Sequence, residues 1–189
     1  MQEVDWGIWQ VSDVVYIGGP PLTKQVQYAR ASGASVIGVD SGQDKRDYVL
    51  SIGATEFIDF ALVPDVIAEV RKITNGGAQA VIVAAGNPKA FAHAAEMLRV
   101  NGTLSCIGIP PGRPFIETPI STIVIKGLRI TGNLIGSLKE CMEAVELTRR
   151  GIVTPRVEVR PFRDLPQVYE LLEKGDIPGR IVLQIASEV

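Results

Sequence analysis

Short apolar runs alternate with helical segments along most of this chain, and this alternation constrains its fold more than any other feature. Each run has the length of a strand, and a helical pattern separates it from the next run. The six runs span Asp13 to Gly18, Ser35 to Asp40, Glu56 to Phe60, Gln79 to Ala84, Thr103 to Ile109 and Leu128 to Leu134. Strands that alternate with helices predict an α/β fold, in which helices cover both faces of a parallel sheet.

Residues typical of helix ends occur between the runs and support this prediction. Ser137 to Glu140 has the capping-box pattern that opens a helix. Glycine is common just after the last turn of a helix, because it adopts positive φ without strain. Four glycines stand at such positions: Gly33, Gly53, Gly76 and Gly102.

The alternation changes after Gly151, where a strand, a helix and a last strand replace the regular repeat. These elements are predicted at Val157 to Val159, Leu165 to Lys174 and Arg180 to Ile185. The first residues follow neither pattern, and we expect them to form a flap that packs Trp6 and Trp9 on the main domain. The predicted division is an N-terminal flap at 1–12, a main domain at 13–152 and a C-terminal tail at 153–189.

Charge and hydropathy exclude several classes of partner. The formal net charge is −2 and the Lys and Arg residues are scattered, so the chain lacks the basic patch of a nucleic-acid-binding protein. No apolar run approaches the roughly 20 residues of a membrane span. We therefore expect a soluble, cytoplasmic protein that binds neither nucleic acid nor membranes. The two cysteines, Cys106 and Cys141, have no disulfide or metal-site spacing and are predicted to be buried thiols.

The turn after the first run combines two opposing signals. A dinucleotide-binding strand, turn and helix need small residues at the turn, because backbone N–H groups approach a pyrophosphate at the helix N-terminus. Here Gly18 and Gly19 precede Pro20 and Pro21, and proline has no N–H to donate. Asp40 nevertheless ends the second run, where an acid accepts hydrogen bonds from an adenosine ribose and disfavours a 2′-phosphate. The pattern predicts a dinucleotide-binding origin with a damaged phosphate loop.

One further segment is a candidate for the cleft at the carboxyl ends of the strands. The loop Pro110 to Phe115 follows the fifth run, and its Arg113 is either a contact for an anionic or carbonyl ligand or part of a rigid connector. The sole histidine, His93, falls on a predicted helix. We expect it to be a packing or surface residue and not a catalytic base.

Six segments carry a family resemblance, in the right order and over nearly the whole chain from about Val14. They are VQYARASGASVIGVDSGQDK, SIGATEFIDF, RVNGTLSCIGIP, KGLRITGN, RRGIVTP and LPQVYELLEKGDIPGRIVL. These segments resemble the coenzyme-binding C-terminal half of the zinc-dependent medium-chain alcohol dehydrogenases, most closely the yeast-type branch. The resemblance implies a Rossmann-type doubly wound parallel sheet of six strands, in the order 3-2-1-4-5-6, with a short C-terminal β tail. It also implies a homodimer joined through the sixth strand, Leu128 to Asn133.

The resemblance further implies candidate site residues. Gly18 and Gly19 match the start of the family's glycine loop. Asp40 and Lys45 match its ribose-binding pair, and Arg180 matches an arginine that reaches the pyrophosphate. These five residues are cofactor-binding candidates, either as a retained NAD(H) site or as vestiges of one. The family's catalytic zinc domain has no counterpart in this sequence, so we predict no metal-ligating residue and assign no catalytic residue.

Three functions fit these features. The first is a small-molecule-binding protein, or a cofactor-independent isomerase or cyclase, that uses the cleft at the strand ends. It would follow from keeping the fold while losing the zinc domain and the phosphate loop, and it requires no cofactor. The second is an NAD(H)-dependent oxidoreductase or enoyl-reductase-like protein that binds its cofactor through Asp40, Lys45 and Arg180. The third is a non-catalytic partner of a larger enzyme, so the sequence leaves open whether the chain is an enzyme.

Overall fold

A computed structural model describes residues 13–18, 22–174, 177 and 179–185 of the chain. Its main sheet has six parallel strands in the order β3-β2-β1-β4-β5-β6. The α/β class and the strand order predicted above are therefore confirmed. The predicted flap at 1–12 lies outside the described residues, and the division into three parts stays a prediction.

Helices connect the strands of the main sheet, and a strand, a helix and a strand follow it. The strands are β1 (Asp13–Ile17), β2 (Ser35–Asp40), β3 (Glu56–Asp59), β4 (Ala78–Val83), β5 (Leu98–Cys106), β6 (Arg129–Gly132), β7 (Val157–Pro161) and β8 (Arg180–Gln184). The helices are α1 (Leu22–Ala31), α2 (Gln43–Ser51), α3 (Val66–Ile73), α4 (Lys89–Ala92), α5 (Ile120–Lys126), α6 (Leu138–Arg149) and α7 (Leu165–Lys174). Short 3₁₀ turns lie at Ala94–Met97 and Phe162–Asp164.

The sheet separates two apolar cores, one on each face. Successive side chains of a strand point to opposite faces, so Val15 and Ile17 of β1 enter one core while Val14 and Tyr16 enter the other. The first core packs against α3 and α4, and the second packs against α1 and α2. Because both faces are covered, β1, β2 and β4 are buried along most of their length.

The region that follows β5 is far more exposed. Neither α5 nor α6 has a buried residue, and every residue of β6 is exposed. Cys141 lies on α6 and is exposed, while Cys106 at the end of β5 is half-buried. The prediction of two buried thiols is therefore wrong for Cys141, because no described element covers its helix.

Three of the four glycines predicted to follow helices do so. Gly33, Gly53 and Gly76 have positive φ just beyond α1, α2 and α3. The prediction is wrong for Gly102, which lies inside β5. The left-handed position there belongs to Asn101, with φ of 59°, and a Cβ on Gly102 would press against the backbone of Arg99 and the side chain of Leu98. Close packing at the start of β5 therefore explains this glycine.

The tail forms a separate two-stranded sheet in which β7 and β8 are parallel. The helix α7 lies between them in the chain and has the predicted bounds, Leu165–Lys174. The two tail strands thus pair with each other. Within the described part of the chain, no helix is long and apolar enough to cross a membrane.

Candidate functional site

The carboxyl ends of the parallel strands bring the candidate residues to one edge of the sheet. Gly18 follows β1, Asp40 ends β2 and Asp59 ends β3, while Ala85 follows β4. Strand β1 lies between β2 and β4, so these turns are neighbours. Ligands of open α/β sheets bind beyond this edge, where the direction of the strand order reverses.

Gly18 occupies a position that only glycine fits. Its φ is +87°, a conformation that L side chains rarely adopt, and a Cβ here would lie 2.5 Å from the Cβ of Ala85. Its N–H donates to the carbonyl oxygen of Val39 at 3.0 Å, which extends the pairing of β1 with β2. Gly19, Pro20 and Pro21 lie outside the described residues, so the damage expected in the phosphate loop stays a prediction.

Asp40 and Lys45, the two residues that the resemblance assigns to the ribose, form an ion pair. Asp40 is only 5% exposed, and its Oδ1 accepts from Lys45 Nζ at 2.9 Å and from the N–H of Ser41 at 2.8 Å. Lys45 stands in the first turn of α2 and keeps almost half of its side chain exposed. A buried acceptor and a partly exposed donor therefore lie together at the end of β2.

Asp59 supports this pair from the neighbouring strand, and the sequence analysis missed it. Its Oδ2 accepts from the N–H of Gly42 at 3.0 Å and its Oδ1 accepts from the N–H of Ala61 at 2.9 Å. The bond from Gly42, and then the bond from Ala61, lower the pKa of the Asp59 carboxyl. Gly42 has φ of +103° and immediately precedes α2, so Asp59 fixes the turn that aims Lys45. The only available signal was an acid at the end of a predicted strand.

A second feature of the same edge is an apolar cleft of about 340 Å³ beside the end of β5. Its lining residues are Phe91, Cys106, Gly108, Ile109, Pro110, Gly112, Pro114, Phe115 and Ile116. Burial raises the pKa of the Cys106 thiol, which keeps the sulfur in its neutral form. The predicted loop at Pro110 to Phe115 thus forms one wall, and Arg113 on it is exposed.

His93 lies at a break between two short helices and not within one helix. The helix α4 ends at His93, whose φ of −115° and ψ of 13° are not helical, and a 3₁₀ turn follows. Its Nδ1 lies 2.9 Å from Glu96 Oε1 and its Nε2 lies 3.8 Å from Glu117 Oε2. The exposed ring fits the surface role expected from the sequence.

Arg180 is the first residue of β8, and the structure places it in the tail sheet. Its N–H donates to the carbonyl oxygen of Arg156 at 3.0 Å, its side chain is exposed, and no ion pair joins it to a described carboxylate. The tail is attached to the main domain through Thr154, which hydrogen-bonds to Gln27 of α1, and through Arg156, which lies over the ring of Tyr48 of α2.

The described residues do not fit a zinc ion. They contain no group of three or more His, Cys, Asp or Glu side chains that could hold a metal. By contrast, the tight Gly18 turn and the Asp40–Lys45 pair fit the adenosine end of a dinucleotide.

Comparison with known proteins identifies the family of this chain. The sequence profile of the zinc-binding dehydrogenases matches residues 25–150. Alcohol dehydrogenase 1 of Emericella nidulans is 35% identical over 178 residues, which cover 93% of this chain and 51% of that protein. An alcohol dehydrogenase of Schizosaccharomyces pombe is 38% identical over 162 residues, or 86% of this chain and 46% of that protein. The chain thus spans about half the length of the curated relatives it matches.

A solved structure shows the same fold. The alcohol dehydrogenase zinc-binding domain protein of Burkholderia ambifaria superposes with a TM-score of 0.85 at 24% identity. The match covers 94% of this chain and 50% of that one. At this identity the likeness supports the fold and no particular activity.

Proposed function

This chain belongs to the zinc-binding dehydrogenase family and corresponds to a coenzyme-binding half, and from that premise we propose that its sheet edge binds NAD(H) through the adenosine ribose. The observation that carries the proposal is the buried Asp40 paired with Lys45 at the end of β2. Burying an acid costs free energy unless it is paired and hydrogen-bonded. A chain that maintains such an acid at a nucleotide-binding edge has the main recognition group for a ribose.

The pair offers both kinds of hydrogen bond that a ribose diol needs. A carboxylate accepts hydrogen bonds, so Asp40 would take the hydroxyl hydrogens of the ribose. The ammonium of Lys45 has three donors, one of which goes to Asp40, so it can also donate to a ribose oxygen. A 2′-phosphate would place a second anion beside Asp40, and the site therefore favours NAD(H) over NADP(H).

The phosphates would lie where α1 begins, next to Gly18. Because Gly18 has no Cβ, the end of β1 can pack closely against Ala85, and this packing positions the end of the strand. Arg180 and Gly19 are the further residues that we assign to the pyrophosphate. When bound, the nicotinamide would supply hydride-transfer chemistry. The proposal for this chain concerns binding, since no described side chain is assigned as a proton donor.

Calorimetric titration of the 189-residue chain with NADH and NADPH tests the proposal. We expect NADH to bind more tightly than about 100 μM, near −5.5 kcal/mol, and NADPH to bind at least about tenfold more weakly. Asp40→Asn should weaken NADH binding and reduce the preference over NADPH. Asp65→Asn is the matched control, because Asp65 caps α3 and asparagine caps helices equally well. No binding of NADH at millimolar concentration by the wild-type chain would refute the proposal.

A second candidate function is favoured by the apolar cleft beside β5. Its volume of about 340 Å³ lies within the range of small-molecule sites, and its wall combines two aromatic rings with the Cys106 thiol. The cleft could serve a small apolar ligand, or a cofactor-independent isomerase or cyclase. Titration with benzyl alcohol, followed by methyl resonances of Ile109 and Ile116, tests this function. Shifts that saturate in wild type and are lost in Cys106→Phe would support it, whereas an unresponsive wild type would refute it.

We also propose that the chain forms a homodimer through β6, with the two copies of β6 antiparallel across a two-fold axis. Strand β6 is the last strand of the sheet and is exposed throughout, so its outer edge is open to a second strand. Sedimentation at micromolar concentration should give a dimer. Ile130→Asp should give a monomer, while Val159→Asp, on the separate tail sheet, should not. A monomeric wild type would refute the dimer.

A further inference from the structure

Gln27 forms an unusual contact between the main domain and the tail. It lies on α1 and is only 8% exposed. Its side-chain Nε2 donates to the carbonyl oxygen of Thr154 at 3.0 Å, and its Oε1 accepts from the N–H of Thr154 at 2.6 Å. The side-chain amide therefore pairs with both backbone groups of one residue, as a neighbouring strand would. Val153, next to Thr154, is fully buried, so the contact lies where the tail enters the domain.

Tyr48 forms a second contact one step further along the tail. The guanidinium carbon of Arg156 lies 5.2 Å from the centroid of the Tyr48 ring, within the range of a cation–π interaction. Tyr48 follows Lys45 by three residues on α2, so the two side chains lie on one side of that helix. The helix that supplies Lys45 to Asp40 thus also contacts the tail.

The two contacts extend to the start of β8 through the backbone. The carbonyl oxygen of Arg156 accepts the N–H of Arg180 at 3.0 Å, and Arg180 pairs with Val157 in the register of the tail sheet. Arg180 is therefore joined by one hydrogen bond to the residue that rests on α2. Its position relative to the nucleotide site depends on how the tail is docked.

We propose that Gln27 and Tyr48 are positioning residues that dock the tail on α1 and α2 and thereby hold Arg180 beside the phosphates of a bound nucleotide. The inference rests on the proposed NAD(H) site. It adds Gln27 and Tyr48 as the residues that position Arg180 for the phosphates. Three connections support it: α1 begins after the turn that we propose for the phosphates, α2 carries Lys45, and the tail touches both helices through Thr154 and Arg156.

The proposal predicts different effects on the binding of ADP, which has phosphates, and of adenosine, which has none. Adenosine contains the ribose that Asp40 and Lys45 would hold, but it offers nothing to Arg180. ADP adds the phosphates, whose charge-assisted bonds to arginine are among the stronger polar contacts. Loosening the tail should therefore weaken ADP and spare adenosine, whereas general damage to the domain would weaken both.

The test uses two matched pairs of variants in the 189-residue chain. Tyr48→Leu removes the aromatic ring, and Tyr48→Phe keeps it and should restore wild-type behaviour. Gln27→Leu removes both hydrogen bonds to Thr154. Gln27→Glu can still accept from the N–H of Thr154, but it cannot donate to the carbonyl oxygen of Thr154. Hydrogen exchange of the β7 and β8 amides, measured without ligand, reports the docking directly. We expect faster exchange in Tyr48→Leu and in both Gln27 variants, but not in Tyr48→Phe.

Titration with adenosine and ADP then reports the effect on the site. ADP should bind about tenfold more weakly to Tyr48→Leu and Gln27→Leu, and adenosine should change by less than about twofold. Unchanged hydrogen exchange in both Tyr48→Leu and Gln27→Leu would overturn the inference. An equal loss of affinity for adenosine and for ADP would also overturn it. Both results leave wild-type NADH binding intact, so they are distinct from failure of the proposed function. A wild-type chain that binds neither adenosine nor ADP would overturn the proposed function and the inference together.

Discussion

The central strands of the main sheet and the end of the sheet at β6 are stabilised in different ways, and we call these regions its buried side and its exposed side. On one side, β1, β2 and β4 lie between two apolar cores, and side chains such as Val15, Val81 and Val83 are fully buried. On the other side, α5, β6 and α6 contain no buried residue, although their strand and helix patterns are just as clear. A regular pattern of secondary structure therefore does not show how much of an element is buried.

Local interactions hold the exposed side in shape. Ser137 and Glu140 form a complete capping box at the start of α6. Gly127 ends α5 in the left-handed conformation, and β6 is hydrogen-bonded to β5 along one edge only. The residues that we propose for nucleotide binding lie at the strand ends of the buried side or in the tail that docks against it. The exposed side provides the open strand of the proposed dimer.

Replacing one leucine on each side should give the largest contrast. Leu104 in β5 is completely buried and Leu138 at the start of α6 is 77% exposed. Leu104→Ala should lower the free energy of unfolding by about 3 kcal/mol, because it leaves a cavity in a packed core. Leu138→Ala should change it by less than about 0.5 kcal/mol. Urea denaturation of both variants measures the two values, and equal losses would show that α6 is buried in solution.

Gly18→Ala should give the next largest effect and should sharpen the comparison at the site itself. The new methyl group would meet the Cβ of Ala85 in a left-handed backbone conformation, so we expect a loss of about 2 kcal/mol. Gly112→Ala is the control, since Gly112 also has positive φ but has nothing within 4 Å of its Cβ position. If the two variants lost equal stability, backbone strain and not contact with Ala85 would be the cause.

Ser137→Ala should have a smaller effect that is confined to the exposed side. Losing the cap should cost about 1 kcal/mol, because the side chain accepts from the N–H of Glu140 and no burial compensates in α6. Hydrogen exchange should accelerate in the first turns of α6 and stay unchanged in β4. Ser137→Asp, which also caps helices, should restore protection. Acceleration throughout the main sheet would mean that α6 and the core unfold together.

The smallest effect concerns acid stability on the buried side. Hydrogen bonds from Gly42 and Ala61 lower the pKa of Asp59 below its ordinary value of 3.8, so the unfolded chain binds this proton more readily than the folded one. The contribution of Asp59 to the free energy of unfolding is complete above the ordinary pKa of 3.8, and it is lost as pH falls through the lower pKa of the folded state. Asp59→Asn should therefore flatten the fall in stability below about pH 4. Urea denaturation across this range measures the slope, and identical slopes would exclude the effect.

Much of the fold could be predicted because it depends on signals that are local in sequence. Apolar runs of strand length, capping residues and the family resemblance led to six strands in the correct order. The pairing of Lys45 with Asp40 followed from the family resemblance, and the two residues lie close together because Lys45 comes five positions after Asp40, across a single strand-to-helix turn. Features that depend on what covers an element could not be predicted in the same way. Cys141 is predicted to be a buried thiol, yet it is exposed because nothing described packs on α6.

By itself, the sequence determined the α/β class through its periodicity and the acid that ends β2 through its place at the end of a predicted strand. The strand order followed from the family resemblance that the sequence carries. Only the tertiary structure decided which residues support that acid and where the tail docks. Asp59 meets Gly42 across two neighbouring strands, and Gln27 meets Thr154 across 127 residues. No periodic signal connects such positions, because their contact exists only after the sheet has formed and the helices have packed on it.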